Sequence, residues 1–184
     1  MAVRKIAFGI LLAACAAPAA ASVMVIGSSD ARLCFEAADS PLMPQVRDVR
    51  HCDEALAAGG LPDYETVATH VNRGILRLRR GAIDEAIVDF DAAMALDPNQ
   101  PEAYLNKGAA LIRRENPGEA AQLFTVALEH NTQRPEVAHY GRAVAYEALG
   151  NVREAYQDYQ IASQLAPQWA APRDDLQRFR VVQR

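Results

Sequence analysis

Gly81-Ala-Ile-Asp-Glu-Ala-Ile-Val-Asp-Phe90 is the stretch on which the fold turns, because its small and aromatic positions return twice downstream. Ala86, Phe90 and Ala93, with Gly74 before them and Pro98 after, recur as Ala120, Phe124 and Ala127 with Gly108. They recur again as Ala155, Tyr159 and Ala162 with Ala143 and Pro167. The copies lie 34 and then 35 residues apart. A period of that length marks stacked helical hairpins, none able to bury its apolar face alone. Arrays of this kind ordinarily bind other proteins and seldom catalyse.

Around these positions the spacing predicts helices over 63–80, 83–96, 102–114, 118–130, 136–149 and 152–165. Connections of two to five residues suit antiparallel neighbours. A last stretch, 172–182, begins with Pro near its first turn and sets Leu176, Phe179 and Val182 on one face. That is the layout of a terminal helix that seals exposed apolar surface.

Together with Pro101-Glu-Ala-Tyr-Leu-Asn-Lys-Gly108, these residues resemble the tetratricopeptide repeat (TPR) family over about 67–169. The resemblance implies an all-α, TPR-like α-solenoid of three helical hairpins, at 67–100, 101–134 and 136–169. A C-terminal capping helix at 170–184 and an irregular helical N-terminal segment at 22–62 complete it. Gly74, Gly108 and Ala143 fall where a first helix must approach its second, and Ala86, Ala120 and Ala155 supply the opposing contact. Phe90, Phe124 and Tyr159 fill the space between hairpins. The sequence departs from the family pattern at Thr132, which replaces a terminal Pro, and at Arg77, which replaces a bulky apolar residue.

The family also implies a concave groove lined by first-helix side chains. The matching positions are Val71, Asn72, Ile75 and Leu78; Leu105, Asn106, Ala109 and Ile112; Tyr140 and Val144. Polar members are few, with Arg79, Arg113 and Glu147 beside the two asparagines. An apolar stripe of this extent is unusual in water. Two readings stand: a groove for an apolar peptide whose backbone Asn72 and Asn106 bond, or a groove filled by residues 22–62 folding back. The second is favoured, because Val23–Ile26 needs somewhere to bury. The charged mode of peptide capture known in the family is absent on this reading. Val137 and Gly141 stand where its third-repeat cations would be, so chaperone-tail binding is disfavoured.

Before the small residue of each repeat stands a cation: Arg73, Lys107 and Arg142. Asp89 and Asp158 follow the two arginines by 16 residues, which predicts Arg73–Asp89 and Arg142–Asp158 pairs within hairpins. Leu123 stands in place of the acid in the second repeat, so Lys107 is expected to be unpaired. The alternative is three solvated cations that contribute little. In either case their role is structural.

The first 21 residues form a separate object. Arg4 and Lys5 precede an apolar run over 6–14, and small residues lead to Ala19-Ala20-Ala21 before Ser22. That order reads as a secretory signal cleaved after Ala21, and the run is too short to span a bilayer. Leu12-Ala13-Ala14-Cys15 also resembles a bacterial lipobox, in which Cys15 would carry lipid; plain cleavage is the favoured reading. In a periplasmic or secreted chain the two remaining cysteines, Cys34 and Cys52, are expected to pair, closing a loop whose cross-link stabilises by roughly 3 kcal/mol. The other reading is two reduced, buried cysteines.

The whole chain of 184 residues carries a net charge of −4. Removal of residues 1–21 leaves 17 basic and 23 acidic residues, a net of −6. No basic stripe is present, which argues against nucleic acid as a partner. His51, His70, His130 and His139 lack metal spacing, and no phosphate loop or nucleophile motif occurs, so neither metal, cofactor nor catalysis is expected. His70 and His139 occupy a position usually aromatic in the family and are expected to pack. The reading is therefore a non-enzymatic interaction module or scaffold with a protein or peptide partner. The alternative is a lipid-anchored structural component of an envelope assembly complex, with membrane contact only through Cys15.

Overall fold

The computed structural model describes residues 2–5, 21–25 and 29–182; the lipobox cysteine and the apolar run of the leader lie outside them. Among the described residues the chain forms nine helices. They are α1 (Ser29–Asp39), α2 (Val46–Ala58), α3 (Asp63–Arg79), α4 (Ile83–Leu96), α5 (Pro101–Arg113), α6 (Pro117–Glu129), α7 (Pro135–Ala148), α8 (Val152–Leu165) and α9 (Ala170–Leu176). Consecutive helices pack as antiparallel hairpins α3–α4, α5–α6 and α7–α8, and α3, α5 and α7 meet in turn along one side. The architecture is a solenoid of helical hairpins.

Local chemistry accounts for the boundaries. Pro101, Pro117 and Pro135 each open a helix at a position whose N–H has no partner to lose. Gly81 and Gly150 close first helices with φ of 85° and 79°, in the left-handed region where a Cβ is strained. Glu115 takes the matching turn of the middle repeat at φ 58° without that freedom.

The hairpins interlock through the aromatic and small residues of the repeat. A Cβ added to Gly74 would collide with the Phe90 ring, and one added to Gly108 would lie 3.0 Å from Phe124. Gly141 of α7 faces the same Phe124 from the other side and has no room for a Cβ either. Phe124 therefore sits between two glycines from successive hairpins, at the centre of the array. Tyr159 takes this place in the last repeat, buried beside Ala143 and Ala155.

Both ends differ from the sequence expectation in detail. At the C-terminus the helix stops at Leu176, and Phe179–Val182 instead forms strand β2, antiparallel to β1 (Ala2–Lys5). The capping function persists, since Leu176 packs on the cluster of Tyr159 and buried Phe179. β-Branched Val181 and Val182 suit an extended pairing better than the end of a helix. At the N-terminus α1 and α2 stack on α3 as a further hairpin, more regular than expected. Cys34 and Cys52, both fully buried, are disulfide-bonded across it with Cα atoms 4.9 Å apart.

Candidate peptide-binding groove

The side of the solenoid lined by α3 and α5 carries the residues that the repeat register marks as a groove. Val71 and Ile75 are fully buried, Leu78 and Leu105 nearly so, and Ala109 and Ile112 are half-buried. What covers this face is the chain itself. Asn72, with 0% exposure, accepts a hydrogen bond from Val23 N–H at 2.9 Å and donates one to Val23 C=O at 2.8 Å. Asn106 donates to Ala21 C=O at 3.2 Å. Ala21 joins the core that contains Val71, Ile75 and Leu105, and Val23 packs against it. Of the two readings left open by the sequence, the filled groove is the one observed for residues 21–25.

The segment is also held from α1. Ser22 Oγ donates to Asp39 at the end of that helix, while Val25 packs with Ala31 near its start, so the segment runs antiparallel to α1. Arg79, a polar member of the expected groove, turns to the α1–α2 connection and donates to the carbonyls of Ala38, Ser40 and Leu42. Arg113 donates to Leu78 C=O. Both cations are thus engaged by main-chain carbonyls.

Tyr140 and Val144 stand apart from the rest. Tyr140 donates to Asp175 and packs against Trp169, and Val144 lies under the cluster of Tyr159 and Phe179. Glu147 accepts from Tyr159 and Arg178. The third-repeat part of the expected groove is thus occupied by the C-terminal cap, whose contacts had no signal in the 34-residue register. Burial, with Glu147 and Asp175 nearby, pushes the Tyr159 phenol far up.

On the hairpin interior both predicted ion pairs form. Arg73 reaches Asp89 at 2.6 Å and Arg142 reaches Asp158 at 2.7 Å. Each aspartate also meets a histidine, His70 at 3.3 Å and His139 at 2.8 Å, and Arg77 adds a second cation to Asp89 at 2.7 Å. Burial alone would raise the pKa of either aspartate, but these partners outweigh it and hold both below the usual carboxylate range. The histidines therefore serve as hydrogen-bond partners as well as packing. Arg77, a departure from the family pattern, is explained by this cluster.

Lys107 corrects an expectation: it is paired, with Asp91 at 2.7 Å and Glu119 at 3.5 Å. Asp91 belongs to the preceding hairpin, so a search within one repeat could not find it. Burial would lower the Lys107 pKa, and the two carboxylates reverse that. The Thr132 departure has a partner too. Its hydroxyl donates to Glu102, which also accepts from Gln133 N–H at 2.8 Å. Burial still raises the Glu102 pKa against those bonds.

Asp30, His51 and Glu54 bring ligand atoms within 4.8 Å of one another, and they read as a half-exposed hydrogen bond linking α1 to α2. An open cleft of about 360 Å³ beside α2 mixes Arg50, Arg77 and Arg80 with Asp53 and Glu85, and Arg77 lies 3.5 Å from Asp53 there. No described helix is long and apolar enough to cross a membrane.

Comparison with known proteins agrees with this geometry. Residues 77–139 match the family model described as tetratricopeptide repeat. The chain is 32% identical over 117 residues to a tetratricopeptide repeat protein 36 homolog of Drosophila pseudoobscura pseudoobscura, an alignment covering 59% of the chain and 62% of that relative. Among solved structures, the first TPR of Spaghetti (RPAP3) bound to the HSP90 peptide SRMEEVD is 25% identical with a TM-score of 0.57, covering 60% of this chain and 87% of that one. The crystal structure of MamA is 21% identical with a TM-score of 0.61, covering 70% and 72% respectively, and bears on the fold alone.

Proposed function

We propose that this chain, whose residues 77–139 match the tetratricopeptide repeat family model, is an exported, non-enzymatic protein-interaction module that binds an extended peptide along α3 and α5. The observation that carries this reading is the pair Asn72 and Asn106. Asn72 hydrogen-bonds both main-chain groups of Val23 over an apolar floor, and Asn106, buried in the next repeat, is a second amide on the same face that cleavage after Ala21 frees for a ligand. Main-chain bonds hold any non-proline residue, and the floor selects apolar side chains. The peptide in the Spaghetti complex is acidic, whereas the groove here offers Val71, Ile75 and Leu105 and ties Arg79 and Arg113 to carbonyls. The partner segment is therefore apolar.

Binding is tested by capture from an envelope or extracellular extract with the full chain and with Ile112→Glu. A half-buried carboxylate on the groove floor should reduce capture about tenfold, since an unpaired charge against apolar surface is costly. Equal capture by both proteins would remove the groove from the reading.

Export rests on the leader and on the buried disulfide, which an oxidising compartment maintains. Mass spectrometry of the mature protein should place the N-terminus at Ser22. An acylated Cys15 would favour the lipid-anchored alternative, and an intact Met1 would remove export. Cleavage after Ala21 would release Asn106 from its acceptor but leave both bonds between Asn72 and Val23.

A further inference from the structure

We propose that the α1–α2 connection and the adjoining face of α2 form a second docking surface, which takes a short acidic segment carrying large apolar side chains. This surface shares no residue with the α3/α5 groove, so it goes beyond the peptide-groove reading and is tested separately. Its apolar part is Leu42, Met43 and Val46, which are 75%, 73% and 61% exposed. Single exposed hydrophobics are ordinary, but three within five residues are not. Their backbone is also pinned. Arg79 donates to the carbonyls of Ala38, Ser40 and Leu42, Arg80 donates to that of Pro44, and Pro41 and Pro44 fix their own φ. A ridge held in this way loses little conformational entropy when a partner docks on it.

Charge decides the kind of partner. Val46, Val49, Arg50 and Asp53 stand at i, i+3, i+4 and i+7 on one face of α2 and line the cleft of about 360 Å³, which Arg80 and Glu85 enter from the ends of α3 and α4. Asp53 is committed to Arg73 and Arg77. That leaves Arg50 and Arg80 facing Glu85, and among the described residues neither arginine forms an ion pair. Leu42 and Met43 line a smaller hollow of about 170 Å³ together with Arg47, which is 72% exposed and 3.8 Å from Asp48. The corner is therefore basic, on a chain whose net charge is −4. Arg47 and Arg50 are neighbours along the helix surface, so carboxylates one turn apart on a partner meet both. An apolar side chain between those carboxylates covers Met43 and Val46. An anionic bilayer fits less well, because a flat surface cannot enter the cleft and Glu85 would oppose its headgroups.

The test titrates the full chain into a dye-labelled, end-blocked peptide of sequence Glu-Leu-Glu-Glu-Leu-Leu-Glu and follows fluorescence anisotropy. Binding should saturate and should weaken as salt is raised. Leu42→Ser/Met43→Ser and Arg47→Glu/Arg50→Glu should each weaken it at least about tenfold, through lost apolar contact and reversed charge respectively. All four side chains are exposed, so both variants should keep their helical circular dichroism. If the charge-reversed chain loses helicity, Arg50→Gln is read in its place under the same criterion. The same peptide with Gln for every Glu should bind at least about tenfold more weakly. Ile112→Glu, in the α3/α5 groove, should leave binding unchanged, so a failure here and a failure of the groove are told apart. The proposal is overturned by the absence of saturable binding, by equal binding of either double variant or of the Gln peptide, or by loss of binding on Ile112→Glu. It is also overturned if phosphatidylglycerol vesicles bind the unaltered chain and release Leu42→Ser/Met43→Ser, since the ridge would then face a membrane.

Discussion

Asp89→Ala is expected to lower the unfolding free energy by about 3–5 kcal/mol, as for removal of one partner from a buried charge cluster. Asp89 is 1% exposed and is the common acceptor for Arg73, Arg77 and His70. Its loss leaves two largely buried guanidiniums with only the half-exposed Asp53 to share. The energy lost is mainly the desolvation of cations without a counter-charge, so Asp89→Asn should cost nearly as much. Urea unfolding at pH 7 measures it, and a loss under about 1 kcal/mol would class the cluster with ordinary surface pairs.

The same carboxylate sets a pH dependence. Burial opposes ionisation of Asp89 and Asp158, but the arginines and histidines prevail and the folded pKa of each lies below the unfolded one. Their stabilisation is full above the ordinary carboxylate pKa of about 4 and is lost as pH falls through the lowered values. Glu102 has the opposite sign, because burial raises its folded pKa. Its contribution is full below its ordinary pKa and shrinks as pH rises through the raised value. Urea midpoints should therefore drop on acidification below about pH 4, and Asp89→Asn should flatten that drop.

Phe124→Ala is expected to cost about 3–5 kcal/mol, the range for truncating a large, well-packed aromatic. Its ring is 1% exposed and lies between Gly108 of its own hairpin and Gly141 of the next. Two backbones approach it as closely as glycine allows, so neither side can collapse into the cavity without moving a helix. In an array whose stability is roughly a sum of repeat and interface terms, this loss falls on the link between the second and third hairpins. The unfolding transition should broaden as well as shift. A sharp transition shifted by less than about 1 kcal/mol would show that the ring is not the keystone of that interface.

The hairpins were legible because their residues act at short range. Gly74, Ala86 and Phe90 meet across one turn, so the chemistry of close approach is written at a fixed spacing and repeats. Arg73–Asp89 and Arg142–Asp158 were legible for the same reason. Lys107–Asp91 and Gly141–Phe124 were not, since each joins neighbouring hairpins and no period within one repeat encodes it. The first two-thirds of the groove face, Val71 to Ile112, was readable as positions. That Tyr140 and Val144 lie under the C-terminal cap depended on where α9 and Phe179 come to rest.

By itself the sequence determined the solenoid, the hairpin interior and the amide-bearing apolar stripe, because periodic burial and local sterics depend on residues a turn or a hairpin apart. Only the tertiary structure decided what lies on that stripe. Ala21 and Asn106 are 85 residues apart, and their meeting depends on the stacking of α1 and α2, on the disulfide between them and on the path that brings Val23 to Asn72. A non-periodic, long-range contact of that kind leaves no spacing to read. Its free energy comes from burying a few side chains that could have been buried elsewhere, and the three-dimensional course of the chain makes the choice.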